Sequence, residues 1–406
     1  MALLVQKYGG SSVADAARIL NVATRIVRSR EQGHQVVVVV SAMGDTTDDL
    51  LALANQINEK PAMRELDVLL STGEIVSSTL LTMALHKLGY EAISLTGAQA
   101  GIKTDAVYNS ARIRDIDPQR ITRELEKGNI VIVAGFQGIT EDMDVTTLGR
   151  GGSDTTAVAL AAALKAERCE RYTDVDGIYT TDPRVIHDAR KLSDISYEEM
   201  LEMVTYGFKA IHPRAVELGE LFRVPILVAS SFNDHPGTLI HEEVTMEIRN
   251  KVRGIAIDQD VAKITVVGVP DHPGIAAGIF VPLAQAGISV DTIVQNASVQ
   301  NITDLTFTVA RGQLKKAMAV VEPIAASIQA SRCVADNTLA KVSIIGSGMQ
   351  NAPGYASRMF ATLSDAGVNI ELITTSEIRI TCIIGEDRVK DAVAALHRAF
   401  ELDKAA

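Results

Sequence analysis

The residue types and spacings that best suit chemistry lie in residues 147–154, which read TLGRGGSD. Paired glycines let the backbone adopt positive φ and approach a ligand closely. An apolar run over residues 155–164 follows at once and predicts a helix, so the N–H groups of the turn and the helix dipole favour an anion. Arg150 can hold a carboxylate or phosphate through two hydrogen bonds, and Asp154 adds a carboxylate. The run therefore suits phosphoryl transfer to an anionic acceptor, although an ordinary strand-to-helix turn would also explain its glycines.

A second glycine turn stands near the N-terminus, where residues 7–12 read KYGGSS. It follows a short apolar strand at residues 3–5 and precedes an amphipathic helix over residues 15–28. Lys7 can reach the β- and γ-phosphates of a nucleotide as a mobile charge. The chain contains no GxxxxGK[ST] sequence, so this is not a Walker A loop. A solvated lysine beside a tight turn is the plainer explanation of this run alone.

Two further turns carry small hydroxyl and acidic side chains. Five valines at residues 36–40 predict a buried strand of a parallel sheet. Residues 41–48 (SAMGDTTD) follow at its carboxyl end, where open α/β sheets bind ligands. Residues 69–74 (LLSTGE) are expected to open another helix. Glu74 in this run suits a substrate ammonium group, or else serves as a capping residue in the first helical turn.

Two more runs complete the pattern, residues 173–177 (TDVDG) and residues 207–214 (GFKAIHPR). With the four turns above, they stand in the order and at the spacing found in aspartate kinases, and the chain resembles that family of the amino-acid kinase superfamily. The resemblance covers essentially the whole chain, and no motif position departs from the family pattern.

By this resemblance, the protein transfers the γ-phosphoryl group of ATP, with Mg²⁺, to the side-chain carboxylate of L-aspartate and gives 4-phospho-L-aspartate. The acceptor is ionised at neutral pH, since its reference pKa is about 3.9, so no general base is needed. Catalysis then depends on positioning and on neutralising charge. The resemblance assigns catalysis to Lys7 and Asp154, the aspartate site to Ser41, Thr47, Glu74, Arg150, Gly151, Gly152 and Ser153, and the ATP site to Lys7, Tyr8, Gly9, Gly10, Thr173, Asp174, Tyr179, Arg184 and Lys209.

Length, charge and cysteine use narrow the class of protein. A chain of 406 residues with 47% apolar residues suggests two or three domains with substantial cores, and a net charge of −11 argues against a nucleic-acid partner. The 3 cysteines show no metal-ligand or redox spacing, and the histidines form no ligand pair, which indicates a cytoplasmic protein without metal-binding side chains. No signal peptide precedes Lys7 and no apolar run approaches a membrane span, so we expect no membrane partner.

Residues 1–245 alternate strand and helix patterns, which predicts an α/β fold with a mainly parallel sheet sandwiched by helices. The rest contains an internal repeat with a period of about 78 residues, whose units read as ferredoxin-like βαββαβ modules and resemble ACT domains. We assign the first module to residues 264–337 and the second to residues 250–260 plus 338–406. The second module lacks its last strand, and residues 253–258 are expected to supply it, because an unpaired edge exposes backbone groups. The first module is then inserted in the second.

ACT domains commonly bind amino acids, and aspartate phosphorylation opens the route to lysine, threonine and methionine. The modules therefore imply feedback inhibition by lysine, threonine or both, although a pure dimerisation module is the alternative. They also imply a homodimer, or a heterotetramer with a separately translated C-terminal subunit that starts near Met246. The candidate effector residues are Asp271, Ser289, Val290, Asp291, Gln295 and Ser298 in the first module and Tyr355, Ala356, Asn369, Ile370 and Ser376 in the second.

Two other functions remain open. Another superfamily member, such as acetylglutamate kinase, glutamate 5-kinase or uridylate kinase, would share the fold, but the tandem modules and residues 71–74 and 149–154 disfavour it. A non-catalytic amino-acid sensor could keep the kinase fold as a scaffold. Such a sensor would be expected to lose Lys7 or Asp154, and both are present.

Overall fold

The chain folds into two compact units, each assembled from more than one segment of sequence. The computed structural model describes residues 2–242, 252–296, 301–349 and 352–404, so Met246 lies outside the described residues. The first unit contains Met1–Tyr179, Lys191–Thr205 and Lys209–Glu247, and the second contains Thr180–Arg190, Tyr206–Phe208 and Ile248–Ala406.

Strands and helices are interspersed through the first unit, because short β-branched runs and amphipathic segments are interspersed along its sequence. Its strands are β1 (Leu3–Tyr8), β2 (Gln35–Val40), β3 (Ala92–Leu95), β4 (Ile102–Thr104), β5 (Ile113–Ile116), β6 (Ile130–Ala134), β7 (Gln137–Ile139), β8 (Val145–Thr147), β9 (Arg168–Thr173), β10 (Asp194–Ser196), β11 (Ile226–Ser230) and β12 (Thr238–His241). Its helices are α1 (Ala16–Glu31), α2 (Thr46–Ile57), α3 (Met63–Lys87), α4 (Gln119–Glu126), α5 (Gly152–Ala163), α6 (Tyr197–Thr205) and α7 (Pro213–Phe222).

An eight-stranded sheet forms the centre of this unit, in the order β10-β12-β11-β9-β1-β2-β6-β3. All its neighbouring strands run parallel except β11 and β12. The mainly parallel sheet predicted from the sequence is therefore confirmed. A four-stranded sheet, β5-β4-β7-β8, lies in the same unit.

The valines of β2 show why helices must cover both faces of the large sheet. Val36, Val38 and Val40 share a buried cluster with α1 and α3. Val37 and Val39 point to the opposite face, since side chains alternate along a strand, and both are fully buried. The strand is apolar at every one of these positions because neither of its faces meets water.

Helix α3 begins earlier than the sequence predicts. It begins at Met63, so residues 69–74 do not open a helix and Glu74 is not a first-turn capping residue. By length and composition this helix could cross a membrane, which corrects the expectation that no apolar run approaches a span. More than half of its apolar stretch is buried inside the unit, where it also buries Asp67 and Glu74. Such burial is typical of a core helix.

The second unit is built around a six-stranded sheet in the order β14-β15-β13-β16-β18-β17, with every neighbouring pair antiparallel. The strands are β13 (Gly254–Pro270), β14 (Ile293–Gln295), β15 (Ile302–Val309), β16 (Arg332–Ile345), β17 (Leu372–Thr375) and β18 (Arg379–Gly385). The helices are α8 (Ile275–Gln285), α9 (Leu314–Ser327), α10 (Tyr355–Asp365) and α11 (Val389–Ala399).

The two long central strands of this sheet each contribute to two cores. Residues 254–258 of β13 pair with residues 341–345 of β16, while residues 263–267 of β13 pair with residues 332–336 of β16. Ile255, near the start of β13, packs in a core with α10 and α11. The later part of β13 instead packs in a core with α8 and α9. One strand thus passes from one module core to the other.

Substitution of one isoleucine in each core tests this assignment. Ile255→Ala and Ile264→Ala each remove a side chain that is nearly or fully buried, and such changes cost about 2–5 kcal/mol of unfolding free energy. We expect Ile255→Ala to speed amide hydrogen exchange in β18 and to leave β15 protected, and Ile264→Ala to do the reverse, because local opening follows the weakened core. Hydrogen-exchange mass spectrometry measures both, and each variant is the control for the other. Faster exchange in β15 alone after Ile255→Ala would contradict the assignment.

Candidate active site

Strand β1 and helix α5 meet at a buried ion pair. The Nζ of Lys7, on β1, lies 2.7 Å from Oδ1 of Asp154, in the first turn of α5. Arg171 stands beside Lys7 at the same register position of the neighbouring strand β9, and its Nε donates to Oδ2 of Asp154 at 3.0 Å. The side chains of Lys7 and Asp154 are each only 7% exposed. Three charged groups therefore interact where little water can reach them.

Burial and charge act in opposite directions on these groups. Burial by itself raises the pKa of the Asp154 carboxyl, but the charges of Arg171 and Lys7 outweigh it and hold the pKa well below its usual range. Burial lowers the pKa of the Lys7 ammonium, an effect that Asp154 opposes and Arg171 reinforces. Asp154 is consequently an anion at neutral pH, and it supplies the negative charge that both cations need in this desolvated place.

The turns that follow β1 and β2 interlock because a glycine allows close backbone contact. A Cβ on Gly10 would lie 2.9 Å from the carbonyl oxygen of Ala42, closer than real side chains approach. The N–H of Gly44 donates to the carbonyl of Gly10 at 3.1 Å. The two turns thus form one surface at the carboxyl edge of the sheet, next to Lys7.

The N-terminus of α5 supplies the opposite side of this surface. Gly151 caps the helix in the left-handed conformation, with φ 72°, and Gly152, Ser153 and Asp154 are buried in its first turn. The side chain of Arg150 is exposed just before the helix. A helix N-terminus with an arginine beside it attracts anionic groups.

Glu74 reaches the same place from the middle of α3. Its side chain is 3% exposed, and its Oε1 accepts a hydrogen bond from the N–H of Ala42 at 3.1 Å. Its Oε2 has no hydrogen-bond partner among the residues that the structure describes. Burial raises the pKa of Glu74 to about 8, although the hydrogen bond from Ala42 lowers it. A buried carboxyl with an unpartnered oxygen is suited to receive a cationic ligand group.

These groups line one cavity of about 350 Å³. Both residues expected to be catalytic, and every residue expected to bind the substrate, lie in its wall. Arg171 lies there as well, although it is not among the residues predicted for the site. It could be recognised as a site residue only from its position beside Lys7, which depends on the pairing of β9 with β1. The further lining residues missed from the sequence are Ala42, Gly44, Phe136 and Gly149.

The residues expected to bind the nucleotide are brought together less completely. The ring of Tyr8 is fully buried and stacks on Tyr172 with ring centroids 5.0 Å apart, so Tyr8 would contact a nucleotide only through its backbone. Arg184 belongs to the second unit, where its exposed side chain pairs with Asp182, and its assignment to the ATP site stays a prediction. Lys7 and Gly10 line the cavity, whereas the first-unit candidates Gly9, Thr173, Asp174, Tyr179 and Lys209 do not.

Several effector candidates of the second unit are partly buried against the module cores. Tyr355, Ala356 and Ile370 pack against the core that contains α10 and α11, and the Tyr355 ring stacks on Phe400. Val290 packs against the other core. The side chains of these residues therefore help to stabilise the modules, and their assignment as effector contacts stays a prediction.

The remaining effector candidates are exposed wherever the structure describes them. Asp291 is already engaged, since the Lys341 ammonium donates a hydrogen bond to its carboxylate. Ser298 lies outside the described residues. The exposed candidates are Asp271, Ser289, Asp291 and Gln295 in the first module and Asn369 and Ser376 in the second.

The parallel sheet, the glycine turns and the buried lysine–aspartate pair define a kinase of the amino acid kinase class that carries additional small modules. The sequence model of the amino acid kinase family matches residues 2–230, and that of the ACT domain matches residues 264–323 and 342–400. The chain is 50% identical to the aspartokinase of Bacillus sp. (strain MGA3) over 406 residues, covering 100% of this chain and 99% of that protein. It is 52% identical to the aspartokinase of Pseudomonas aeruginosa over 406 residues, covering 99% of this chain and 98% of that protein. The chain therefore belongs to the aspartokinases, which are ATP-dependent kinases.

Solved structures of aspartokinases are also similar to this chain. Two structures of aspartokinase III from Escherichia coli superpose with a TM-score of 0.78 and cover 98% of this chain and 99% of theirs. One is a complex with aspartate and ADP in the R-state and is 25% identical. The other is a complex with lysine and aspartate in the T-state and is 26% identical.

The buried carboxyl of Glu74 makes stability depend on pH in a defined direction. Its pKa rises from an ordinary 4.5 to about 8 on folding, so between these values the folded chain binds a proton that the unfolded chain has lost. The free energy of unfolding therefore falls as the pH rises through this window. We expect Glu74→Gln to remove that fall, so that urea denaturation shows the variant gaining stability over the native protein from pH 5 to pH 8.

Glu65→Gln is the matched control, because Glu65 stands on the same helix with its side chain 67% exposed. An equal pH slope in the native protein and in Glu74→Gln would contradict the buried neutral carboxyl.

Proposed function

We propose that this protein transfers the γ-phosphoryl group of ATP to the side-chain carboxylate of L-aspartate and forms 4-phospho-L-aspartate. The observation that carries the proposal is the cavity in which the Lys7–Asp154 pair, the exposed Arg150 and the buried Glu74 face one space. Aspartate and ADP are bound in the E. coli relative. The cavity offers separate partners for a phosphoryl group, a carboxylate and an ammonium group.

Lys7 neutralises the charge of the transferring phosphoryl group. The acceptor carboxylate needs no general base, because its reference pKa is about 3.9. The barrier is the approach of one anion to another, which a positioned cation lowers. Asp154 holds the Lys7 ammonium at 2.7 Å, and the Gly10 turn beside it offers backbone N–H groups to the phosphate oxygens.

Arg150 and Glu74 orient the amino acid. The Arg150 guanidinium pairs with the α-carboxylate, and the N–H groups at the start of α5, at Gly151, Gly152 and Ser153, add donors for anionic oxygens. The unpartnered Oε2 of Glu74 accepts a hydrogen bond from the α-ammonium group. Hydroxyl contacts come from Ser41 and Thr47, which line the same cavity.

ATP lies next to Lys7, with further contacts from Gly9, Thr173, Asp174, Tyr179 and Lys209. Across the ranges that the structure describes, no group of three or more His, Cys, Asp or Glu side chains is arranged to hold a metal ion. Both oxygens of Asp154 are already engaged, by Lys7 and by Arg171. We propose that Mg²⁺ arrives on the ATP phosphates.

The reaction would form the first step of lysine, threonine and methionine biosynthesis, with feedback inhibition by lysine, threonine or both through the ACT modules. The lysine complex of the E. coli relative supports an amino-acid effector. The division proposed is residues 1–245 for catalysis, residues 264–337 for an inserted module, and residues 250–260 plus 338–406 for the other.

The modules also offer a means of assembly. We place a homodimer interface on them, or a heterotetramer with a separately translated C-terminal subunit. The three cysteines, Cys169, Cys333 and Cys382, are free thiols, which suits a reducing compartment. The proposed location is therefore the cytoplasm.

The roles of Lys7 and Arg150 predict different kinetic losses. Lys7→Ala should lower kcat by orders of magnitude with a modest change in the KM for aspartate, since its cation acts on the transferring phosphoryl group. Arg150→Ala should mainly raise the KM for aspartate. Steady-state assays with varied aspartate and ATP separate the two effects, and the surface variant Lys103→Ala, whose side chain is 56% exposed, is the control. Near-normal turnover of Lys7→Ala would overturn its role.

A hydroxamate assay for acyl phosphate tests the reaction and its regulation together. With ATP, Mg²⁺ and L-aspartate we expect hydroxamate, which lysine and threonine reduce singly or as a pair, because each favours a low-activity state. If neither amino acid changes the activity, the proposed kinase reaction would stand, but the modules would serve assembly and not regulation. No product with aspartate, from folded protein, would contradict the proposed acceptor, and N-acetylglutamate would then be tested.

A further inference from the structure

The motif at residues 207–214 contains three residues, His212, Pro213 and Arg214, to which neither the sequence nor the proposed function gives a role. They form the start of α7 within the first unit. Pro213 occupies the first helical position and His212 is the N-cap. The Nδ1 of His212 accepts a hydrogen bond from the N–H of Arg214 at 3.3 Å. This cap fixes the direction in which both side chains leave the helix.

The guanidinium of Arg214 bridges two backbone segments. Its Nη1 donates to the carbonyl of Leu148 at 2.7 Å, and its Nη2 donates to the carbonyl of Ala111 at 3.1 Å. The N–H of Ala111 in turn donates to the carbonyl of Thr147 at 3.0 Å. One side chain therefore ties the residue two positions before Arg150 to a neighbouring loop.

The ring of His212 lies against the other end of the same turn. A Cβ placed on Gly151 would lie 2.2 Å from Cγ of His212, so the ring fills the space that any other residue at this position would need. Gly151 also has a φ of 72°, which disfavours a side chain by itself. The turn from Leu148 to Gly151 is thus held before Arg150 by Arg214 and after it by His212.

A third contact holds the turn from α3. The carboxylate of Asp67, fully buried, accepts hydrogen bonds from the N–H and the hydroxyl of Thr147 at 2.8 and 2.7 Å. It also accepts one from the N–H of Asn109 at 2.9 Å. A Cβ on Gly149 would lie 2.8 Å from the carbonyl oxygen of Asn109. Asp67 therefore holds both the strand that leads into the turn and the loop that covers it.

We propose that Arg214, His212 and Asp67 are positioning residues that hold the 148–151 turn so that Arg150 faces the aspartate carboxylate. The inference rests on the proposed function. Arg150 itself is an exposed side chain on a turn with two left-handed glycines, Gly149 and Gly151. Such a backbone would otherwise sample many conformations, and binding would have to order it. Contacts on both sides of the turn remove that cost before the substrate arrives.

Arg214→Lys gives the first test, because one ammonium on a flexible chain cannot reproduce a planar fork that reaches two carbonyls. We expect the KM for aspartate to rise by about tenfold or more, since small misplacements of a binding group carry penalties of this size. The KM for ATP should change by no more than about twofold, because the guanidinium of Arg214 holds Leu148 and Ala111 and not a residue proposed to bind ATP. Arg223→Lys is the matched control, because Arg223 ends the same helix with its side chain 78% exposed. An unchanged KM for aspartate in Arg214→Lys would overturn the proposal.

A double-mutant cycle separates positioning from a general loss of structure. If Arg214 acts through Arg150, Arg214→Lys should have little further effect on the KM for aspartate in an Arg150→Ala background. An equal fold-change in both backgrounds would overturn the inference and leave the proposed function intact. A native protein that forms no acyl phosphate with aspartate would instead overturn the proposed function and this inference with it.

His212→Asn distinguishes the ring from the helix cap. Asparagine keeps an acceptor for the N–H of Arg214 but leaves the space beside Gly151 empty. We expect this variant to retain its thermal unfolding midpoint and to raise the KM for aspartate. A native KM for aspartate in His212→Asn would limit His212 to capping and overturn its part of the proposal.

Discussion

The buried contact between Lys7 and Asp154 is the constraint on which the rest of the catalytic unit depends. Charges with so little exposure are stable only when their partners are held in place, because removal of one leaves the other desolvated and uncompensated. Arg171 completes the arrangement from the next strand. The fold meets this demand by placing β1 in the interior of the sheet, between β9 and β2, and by burying α5 from Gly152 to Ala161.

Helix α3 carries two buried acidic residues that serve the cavity in different ways. Asp67 and Glu74 stand seven residues apart, so they lie on the same face of the helix. Asp67 holds the backbone before Arg150, whereas Glu74 lines the cavity and has one carboxyl oxygen without a described partner. Both are buried polar groups in a helix that is otherwise apolar enough to resemble a membrane span. The apolar side chains bury the helix, and this burial keeps both carboxyl groups away from water.

In the second unit the main constraint is the pairing of strands at the edge of each module's sheet. Without residues 254–258 the second module would have an unpaired edge at β16, and exposed edges leave backbone hydrogen-bonding groups unsatisfied or open to association. Strands β13 and β16 pair along nearly their whole lengths, so that residues 254–258 give the second module its missing strand and the two sheets become one. Two separate cores therefore share the same two central strands.

The sequence by itself determined the α/β class, the repeat and most residues of the cavity wall, because glycine turns and short polar runs at strand ends are local signals. Tertiary structure alone decided that Arg171 joins Lys7, since this follows from strand register. It also decided that Asp67 and Arg214 hold the turn before Arg150, because their partners lie far away in sequence. The start of α3 was misjudged for the same reason. Local patterns state what a residue can do, whereas packing between distant segments decides what it contacts.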